Sequence, residues 1–169
     1  TRENEILLGL VHKPWTGENF YAVRGGGAFH RGPGGGKAKR LERARKFPLR
    51  DALVGTGFPY RSPDTTESFF GAAREILFRC RDLRRIGAAA LDLACLAAGY
   101  LQAFWEVDLQ PYDVAAALLL LEESGCPFST FSGAPYDPFR SRTFVAGPPG
   151  AVEELREIVL RHYGAGLRD

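Results

Sequence analysis

Methionine does not occur in this 169-residue chain, and residue 1 is threonine. Net charge is almost lacking as well: 22 Lys and Arg against 20 Asp and Glu leave +2, too little to demand a polyanionic partner. Cysteine is scarce. Cys80, Cys95 and Cys126 are odd in number, far apart and without a CxxC pair. That argues against a zinc site or disulfide framework and for reduced thiols in a cytosol-like compartment, so a cytoplasmic location is expected. Cys95 lies in an apolar helical stretch and reads as core rather than nucleophile. Long hydrophobic runs are missing too: the longest spans Val114 to Leu121, far short of the ~20 residues needed to cross a bilayer, and no membrane contact is expected. His12, His30 and His162 stand apart with no i,i+4 or carboxylate companion, so neither metal ligation nor general-base work is expected of them. Gly25-Gly26-Gly27 and Gly34-Gly35-Gly36 read as turns, because neither leads into the Lys-Ser/Thr of a phosphate-binding loop.

What is present is a globular composition, 45% hydrophobic, enough to bury a core in one domain or slightly more. Glu5 to His12 and Phe20 to Arg24 read as antiparallel strands joined by Thr16-Gly17-Glu18-Asn19, and Gly25-Gly26-Gly27 reverses the chain into Ala28-Phe29-His30. Arg31 to Lys46 reads as an exposed connection, with six Lys or Arg in the ten residues from Lys37. No aromatic side chain interleaves with these charges before Phe47, so a solvated loop is expected and nucleic acid is not.

From Arg50 onward strands and helices alternate, the pattern of an α/β layer. Strands are expected at Ala52 to Phe58, Leu83 to Ile86, Leu101 to Glu106 and Thr143 to Ala146. Helices are expected at Asp64 to Arg79, Ala88 to Ala98, Val114 to Ser124 and Gly150 to Tyr163. In the first of these, Phe69, Ala72, Ala73, Ile76 and Leu77 follow helical spacing. The helix from Val114 is apolar nearly all round and belongs between two layers. These readings divide the chain into residues 1–48, the end of an α+β sheet domain with its linker, and residues 49–169, an α/β domain.

Four places could carry chemistry. Asp113, at a helix start, is either a cap that accepts backbone N–H bonds or a ligand for a hard cation, and one oxygen could do each. Glu106 closes a strand, where it either faces water or meets a ligand. Gly87, Ala88 and Ala89 open a helix, so their amides are unpaired donors suited to anions or hydroxyls, unless the glycine serves only the turn. Thr56 sits in the Gly-rich turn Gly55-Thr56-Gly57-Phe58-Pro59-Tyr60.

Read together, Arg84-Arg85-Ile86-Gly87-Ala88-Ala89-Ala90-Leu91-Asp92-Leu93, Phe104-Trp105-Glu106 and Pro111-Tyr112-Asp113-Val114-Ala115-Ala116 resemble the C-terminal signature of the inositol monophosphatase family, magnesium-dependent, lithium-sensitive sugar and polyol phosphatases. The last segment is similar to the family's WDxAAG motif, with Tyr112 in place of tryptophan and Ala117 where glycine is common; Gly55 to Tyr60 resembles its TGFP loop. Gly125-Cys126-Pro127 departs from the usual Gly-Gly. The resemblance implies the layered α/β/α/β/α sandwich of the inositol monophosphatase and fructose-1,6-bisphosphatase type, of which this chain would supply the C-terminal layers.

The resemblance also implies roles. Asp113 would bind a catalytic Mg²⁺, Glu106 a substrate hydroxyl, the backbone of Gly87, Ala88 and Ala89 the substrate alcohol, and Thr56 would lie on the substrate side. The substrate would be a small-molecule phosphate monoester, inositol monophosphate or a related sugar or polyol phosphate. Relatives of the fructose-1,6-bisphosphatase or 3′-phosphoadenosine 5′-phosphate phosphatase type are the alternatives, as is a non-catalytic RNA- or protein-binding module. A homodimer is implied. No acidic DPxDGT-like motif occurs, so the chain is expected to be the C-terminal part of a longer enzyme, inactive by itself, with Asp113 its single direct metal ligand.

Overall fold

The computed structural model describes residues 5–42, 44–164 and 167. Two sheets and four α-helices stack in the order sheet, helices, sheet, helices. The first sheet is an antiparallel meander of β1 (Leu8–Lys13), β2 (Glu18–Val23), β3 (Gly27–Arg31) and the short β4 (Lys39–Arg40), in that spatial order. Strand alternation sets its inward face: Gly9 pairs with Ala22, Val11 with Phe20 and Ala22 with Ala28, and all five are buried. The outward face leaves Leu8, Leu10 and Val23 exposed. β4 falls inside the stretch expected to be a loop, where Lys39 and Arg40 pair with His30 and Phe29. Two residues carry too little pattern to announce a strand.

The second sheet runs β6 (Asp82–Arg84), β5 (Leu53–Thr56), β7 (Ala103–Val107), β9 (Thr143–Ala146), β8 (Phe128–Ser129). β5 is parallel to β6 and β7, while β9 is antiparallel to β7 and β8. The chain leaves β5 for β6 through α1 (Thr66–Arg79), then recrosses β5 to β7 through α2 (Ala89–Ala97). Right-handed crossovers in opposite directions place their helices on opposite faces, and α1 and α2 lie so. α2 and α3 (Pro111–Glu123) fill the space between the sheets around Phe20, Leu93, Phe104, Leu119, Leu120 and Phe144. α1 and α4 (Ala151–Tyr163) cover the far face around Phe69, Ile76, Trp105, Leu155 and Ile158. Truncating any one of these buried aromatics to alanine is a loss of about 3–5 kcal/mol.

The helix expected from Val114 begins earlier, at Pro111. Proline suits a first helical position because its missing N–H has no intrahelical partner there. The helix expected from Ala88 begins at Ala89, with Ala88 extended and Gly87 at φ 97° ahead of it. None of the helices among the described residues is long and apolar enough to cross a membrane.

Candidate functional site

Parallel strands end together, so the loops that follow them meet at one edge of the sheet. At the carboxyl ends of β5, β6 and β7 a cavity of about 100 Å³ is lined by Thr56, Gly57, Arg61, Arg85, Gly87, Ala88, Ala89, Asp92, Glu106 and Asp113, among others. All six residues singled out from the sequence are among them. A larger hollow of about 430 Å³, floored by Leu96, Leu101 and Cys126 and rimmed by Lys39 and Arg40, lies elsewhere and contains none of the six.

Asp113 is the third residue of α3. Its Oδ2 accepts the backbone N–H of Gln110 at 3.0 Å and Arg61 Nη1 at 3.0 Å. The capping role read from the sequence is therefore present, and both described bonds fall on Oδ2, leaving Oδ1 for another partner. The preceding carboxylate in the chain, Asp108, is held by Arg142 through two bonds of 2.7 and 2.9 Å and does not line the cavity. Glu106, not Asp108, is the strand-end carboxylate that faces the site.

Glu106 is largely buried between strand and loop, and burial pushes its carboxyl up to about 7. The charges of Asp92 and Asp113 push the same way; Arg61 and Arg85 oppose them. Asp92, on the first turn of α2, is 2% exposed, and its Oδ1 has no hydrogen-bond partner. Burial lifts it to about 6, against the pull of nearby amides at residues 86–88. Gly57 makes room for Glu106: a Cβ there would stand 2.3 Å from the carboxyl carbon. At Gly87 the requirement is conformational instead. An added Cβ would meet nothing nearer than Arg85 Nη1 at 3.5 Å, but φ 97° strains any other residue.

Thr56 lines the cavity with its hydroxyl already committed, donating to the carbonyl of Trp105 at 2.9 Å. It ties β5 to β7, and what remains for a ligand is the lone pairs of its oxygen and the backbone. Burial pushes the Cys95 thiol up to about 11, which suits a core residue. The histidines differ from expectation. His30 meets Glu18 at 2.9 Å and His162 meets Glu75 at 2.7 Å, carboxylate companions that sequence separation concealed; neither histidine lines the cavity.

Arg61, Arg85, Asp92 and Gly57 were not anticipated as site residues. Asp92 had a signal, a lone charge among Ala89, Ala90, Leu91, Leu93 and Ala94 on an apolar helix. The arginines had none, since loop positions acquire neighbours only from the fold. As donors for a hard cation the cavity offers oxygen, carboxylates foremost, with no thiol or imidazole among its lining, which fits Mg²⁺. Among the described residues no three His, Cys, Asp or Glu side chains converge as a metal-binding group. Asp113 Oδ1 is the donor best placed to contribute one ligand.

The model of the inositol monophosphatase family matches residues 1–162. Inositol-1-monophosphatase of Rhizobium meliloti is 36% identical over 160 residues, 95% of this chain and 58% of that protein. Nus factor SuhB of Pseudomonas aeruginosa is 35% identical over 161 residues, 94% of this chain and 57% of its own length. Among solved structures, extragenic suppressor protein suhB from Bartonella henselae superposes with a TM-score of 0.82 at 30% identity, covering 93% of this chain and 57% of that one. Inositol monophosphatase from Anabaena gives 0.79 at 26% identity, over 92% and 59%. The chain spans less than two thirds of the length of each.

Proposed function

Because the chain belongs to the inositol monophosphatase family, whose fold it shares, we propose that its cavity is one wall of a Mg²⁺-dependent phosphomonoesterase site acting on inositol monophosphate or a related sugar or polyol phosphate. The observation that carries this reading is convergence: Thr56, Gly87, Ala88, Ala89, Glu106 and Asp113 come from three strand ends and a helix start and line one cavity.

Asp113 Oδ1 would hold a Mg²⁺, while Gln110 N–H and Arg61 fix the carboxylate through Oδ2. When bound, such an ion neutralises phosphate charge and lowers the pKa of a bound water, help that a very slow hydrolysis requires. Glu106, raised towards neutrality, serves as a hydrogen-bond partner for a substrate hydroxyl in either protonation state. The missing side chain at Gly87, ahead of the extended Ala88, lets the substrate approach closely. The remaining ligands would come from the part of the relatives' length that this chain does not span, so the 169 residues alone are expected to lack activity.

The test is phosphate release from inositol 1-phosphate by the whole polypeptide that carries this chain. Asp113→Asn should lower Mg²⁺-dependent turnover at least about a hundredfold with folding unchanged, the scale lost with a metal-site contact. Full activity in that variant would overturn the reading, and turnover by a verified 169-residue chain would refute the incomplete-site expectation.

A second reading rests on the exposed basic stretch at Lys37, Lys39 and Arg40 and on relatives that carry the name Nus factor. Here the chain binds RNA or protein without turnover. Salt-sensitive RNA binding that falls when those three residues are neutralised would favour it. Arg43, which belongs to the same run, lies outside the described residues.

A further inference from the structure

Asp92 breaks the pattern of its helix. Leu91, Leu93 and Ala94 beside it pack into the apolar layer between the sheets. The side chain among them is a carboxylate, 2% exposed, with Oδ1 unpartnered among the described residues. Room is made for it by Gly55 on β5, where a Cβ would stand 3.4 Å from that oxygen. Burying a carboxylate with one oxygen unpaired costs free energy that an apolar side chain at the same place would not. Stability therefore does not account for this residue. Such breaks in a local rule belong to functional sites, and Asp92 lines the cavity.

What Asp92 holds is the turn ahead of its own helix. Its backbone N–H donates to the carbonyl of Ala88 at 2.9 Å, alongside that of Leu91. Side chains on a helix lean towards its N-terminus. The carboxylate accordingly faces the amides of Ile86, Ala88 and Gly87, whose N–H dipoles favour its charged form. Ala88 is thus tethered at both ends, its carbonyl by the N–H of Asp92 and its amide by the carboxylate. Gly87, at φ 97° and without a side chain, cannot fix the turn by its own sterics. With these amides turned to Asp92, that of Ala89, at the first position of α2, has no intrahelical partner and remains for a ligand.

We propose that Asp92 is a positioning residue, whose carboxylate holds the turn at residues 86–88 in the shape that presents the start of α2 to the substrate alcohol. The inference rests on the phosphatase reading and deepens it, since Asp92 acts through the backbone of Gly87 and Ala88.

The experiment is hydrolysis of inositol 1-phosphate by the whole polypeptide at saturating Mg²⁺ and pH 8, for wild type, Asp92→Ala and Asp92→Asn. Urea unfolding and amide hydrogen exchange accompany the kinetics. At this pH the wild-type carboxylate, lifted by burial to about 6, is ionised. Asp92→Ala should raise KM about tenfold with kcat held within about threefold, the scale of one lost charge-assisted hydrogen bond to a group that only binds. The amides of Gly87 and Ala88 should exchange faster in that variant. Asp92→Asn keeps an acceptor oxygen but no charge, so KM should rise only about threefold while the urea midpoint stays at or above wild type. A merely structural residue would not separate binding from stability in this way. Unchanged KM in Asp92→Ala, or a fall in kcat with KM held, would overturn the inference and leave the phosphatase reading standing. Should Asp92→Ala not fold, wild-type KM in Asp92→Asn would overturn it. A lowered midpoint in Asp92→Asn with unchanged exchange at residues 87 and 88 would make Asp92 a plain stabilising residue, and would also overturn it. Absence of Mg²⁺-dependent turnover in the folded wild type would bring down the phosphatase reading and this inference with it.

Discussion

The Glu106 carboxylate lies so close to the backbone of Gly57 that a single methyl on that glycine would stand 2.3 Å from its carboxyl carbon. Glu106 lies on β7 and Gly57 directly follows the neighbouring parallel β5, and their fit sets where the carboxylate points. Gly57→Ala is expected to displace Glu106, lowering kcat/KM tenfold or more and costing about 1–3 kcal/mol of stability, the range for overpacking. Phosphate-release kinetics beside thermal unfolding checks both; unchanged kinetics would show that the position of Glu106 is immaterial.

Glu106 and Asp92 make metal-free stability fall as pH rises. Their folded pKa values, about 7 and about 6, stand above the ordinary values of 4.5 and 3.8 for these carboxyls. The folded state thus holds protons more tightly than the unfolded chain. Their contribution is fully present below about pH 4 and is lost as pH rises through 6 to 7. Glu106→Gln should gain about 1–3 kcal/mol relative to wild type at pH 8 and nothing at pH 4. Urea unfolding at the two pH values would show it, and a gain that did not depend on pH would contradict the assignment.

Asp108 adopts φ 56°, unusual for a residue with a side chain, and is held there by the bidentate contact with Arg142. This turn joins β7, which carries Glu106, to α3, which carries Asp113. Removing the clamp in Arg142→Ala should destabilise by about 1–2 kcal/mol and lower activity more than that alone explains. Asp108→Gly, which loses the clamp but relieves the backbone, should be the milder change. Chemical denaturation of both variants gives the order, and the reverse order would refute the role given to the clamp.

Gly9 is where β1 meets α3 most closely: a Cβ there would stand 2.3 Å from the carbonyl oxygen of Ala116. Backbone has no rotamer with which to yield. Gly9→Ala should therefore cost about 2–3 kcal/mol, near the upper end for overpacking, and lower the unfolding temperature accordingly. A thermal melt within a degree of wild type would show that sheet and helix slide apart freely.

Most elements could be read from periodicity. Apolar stretches bounded by turn residues marked β1 to β3, the Phe69-Ala72-Ile76 stripe marked α1, and the apolar run from Val114 placed α3 between layers. Short elements escaped, because β4 and β8 are two residues each. Boundaries moved where a local device outweighed hydrophobic pattern: Pro111 started α3 early, and positive φ at Gly87 delayed α2.

The sequence by itself determined the layer pattern and the family motifs, whose six singled-out residues all line one cavity, since each motif is written in neighbours a few positions apart. It also carried Asp92, as a charge on an apolar helix. Only the tertiary structure decided that Arg61 pairs with Asp113, that Arg85 rests on Phe58, that Arg142 draws Asp108 aside and that Gly57 receives Glu106. These partners are separated by 27 to 52 positions in the chain. Chain folding brings them within bonding distance, and the electrostatics of the cavity arise from that proximity, which no local pattern encodes.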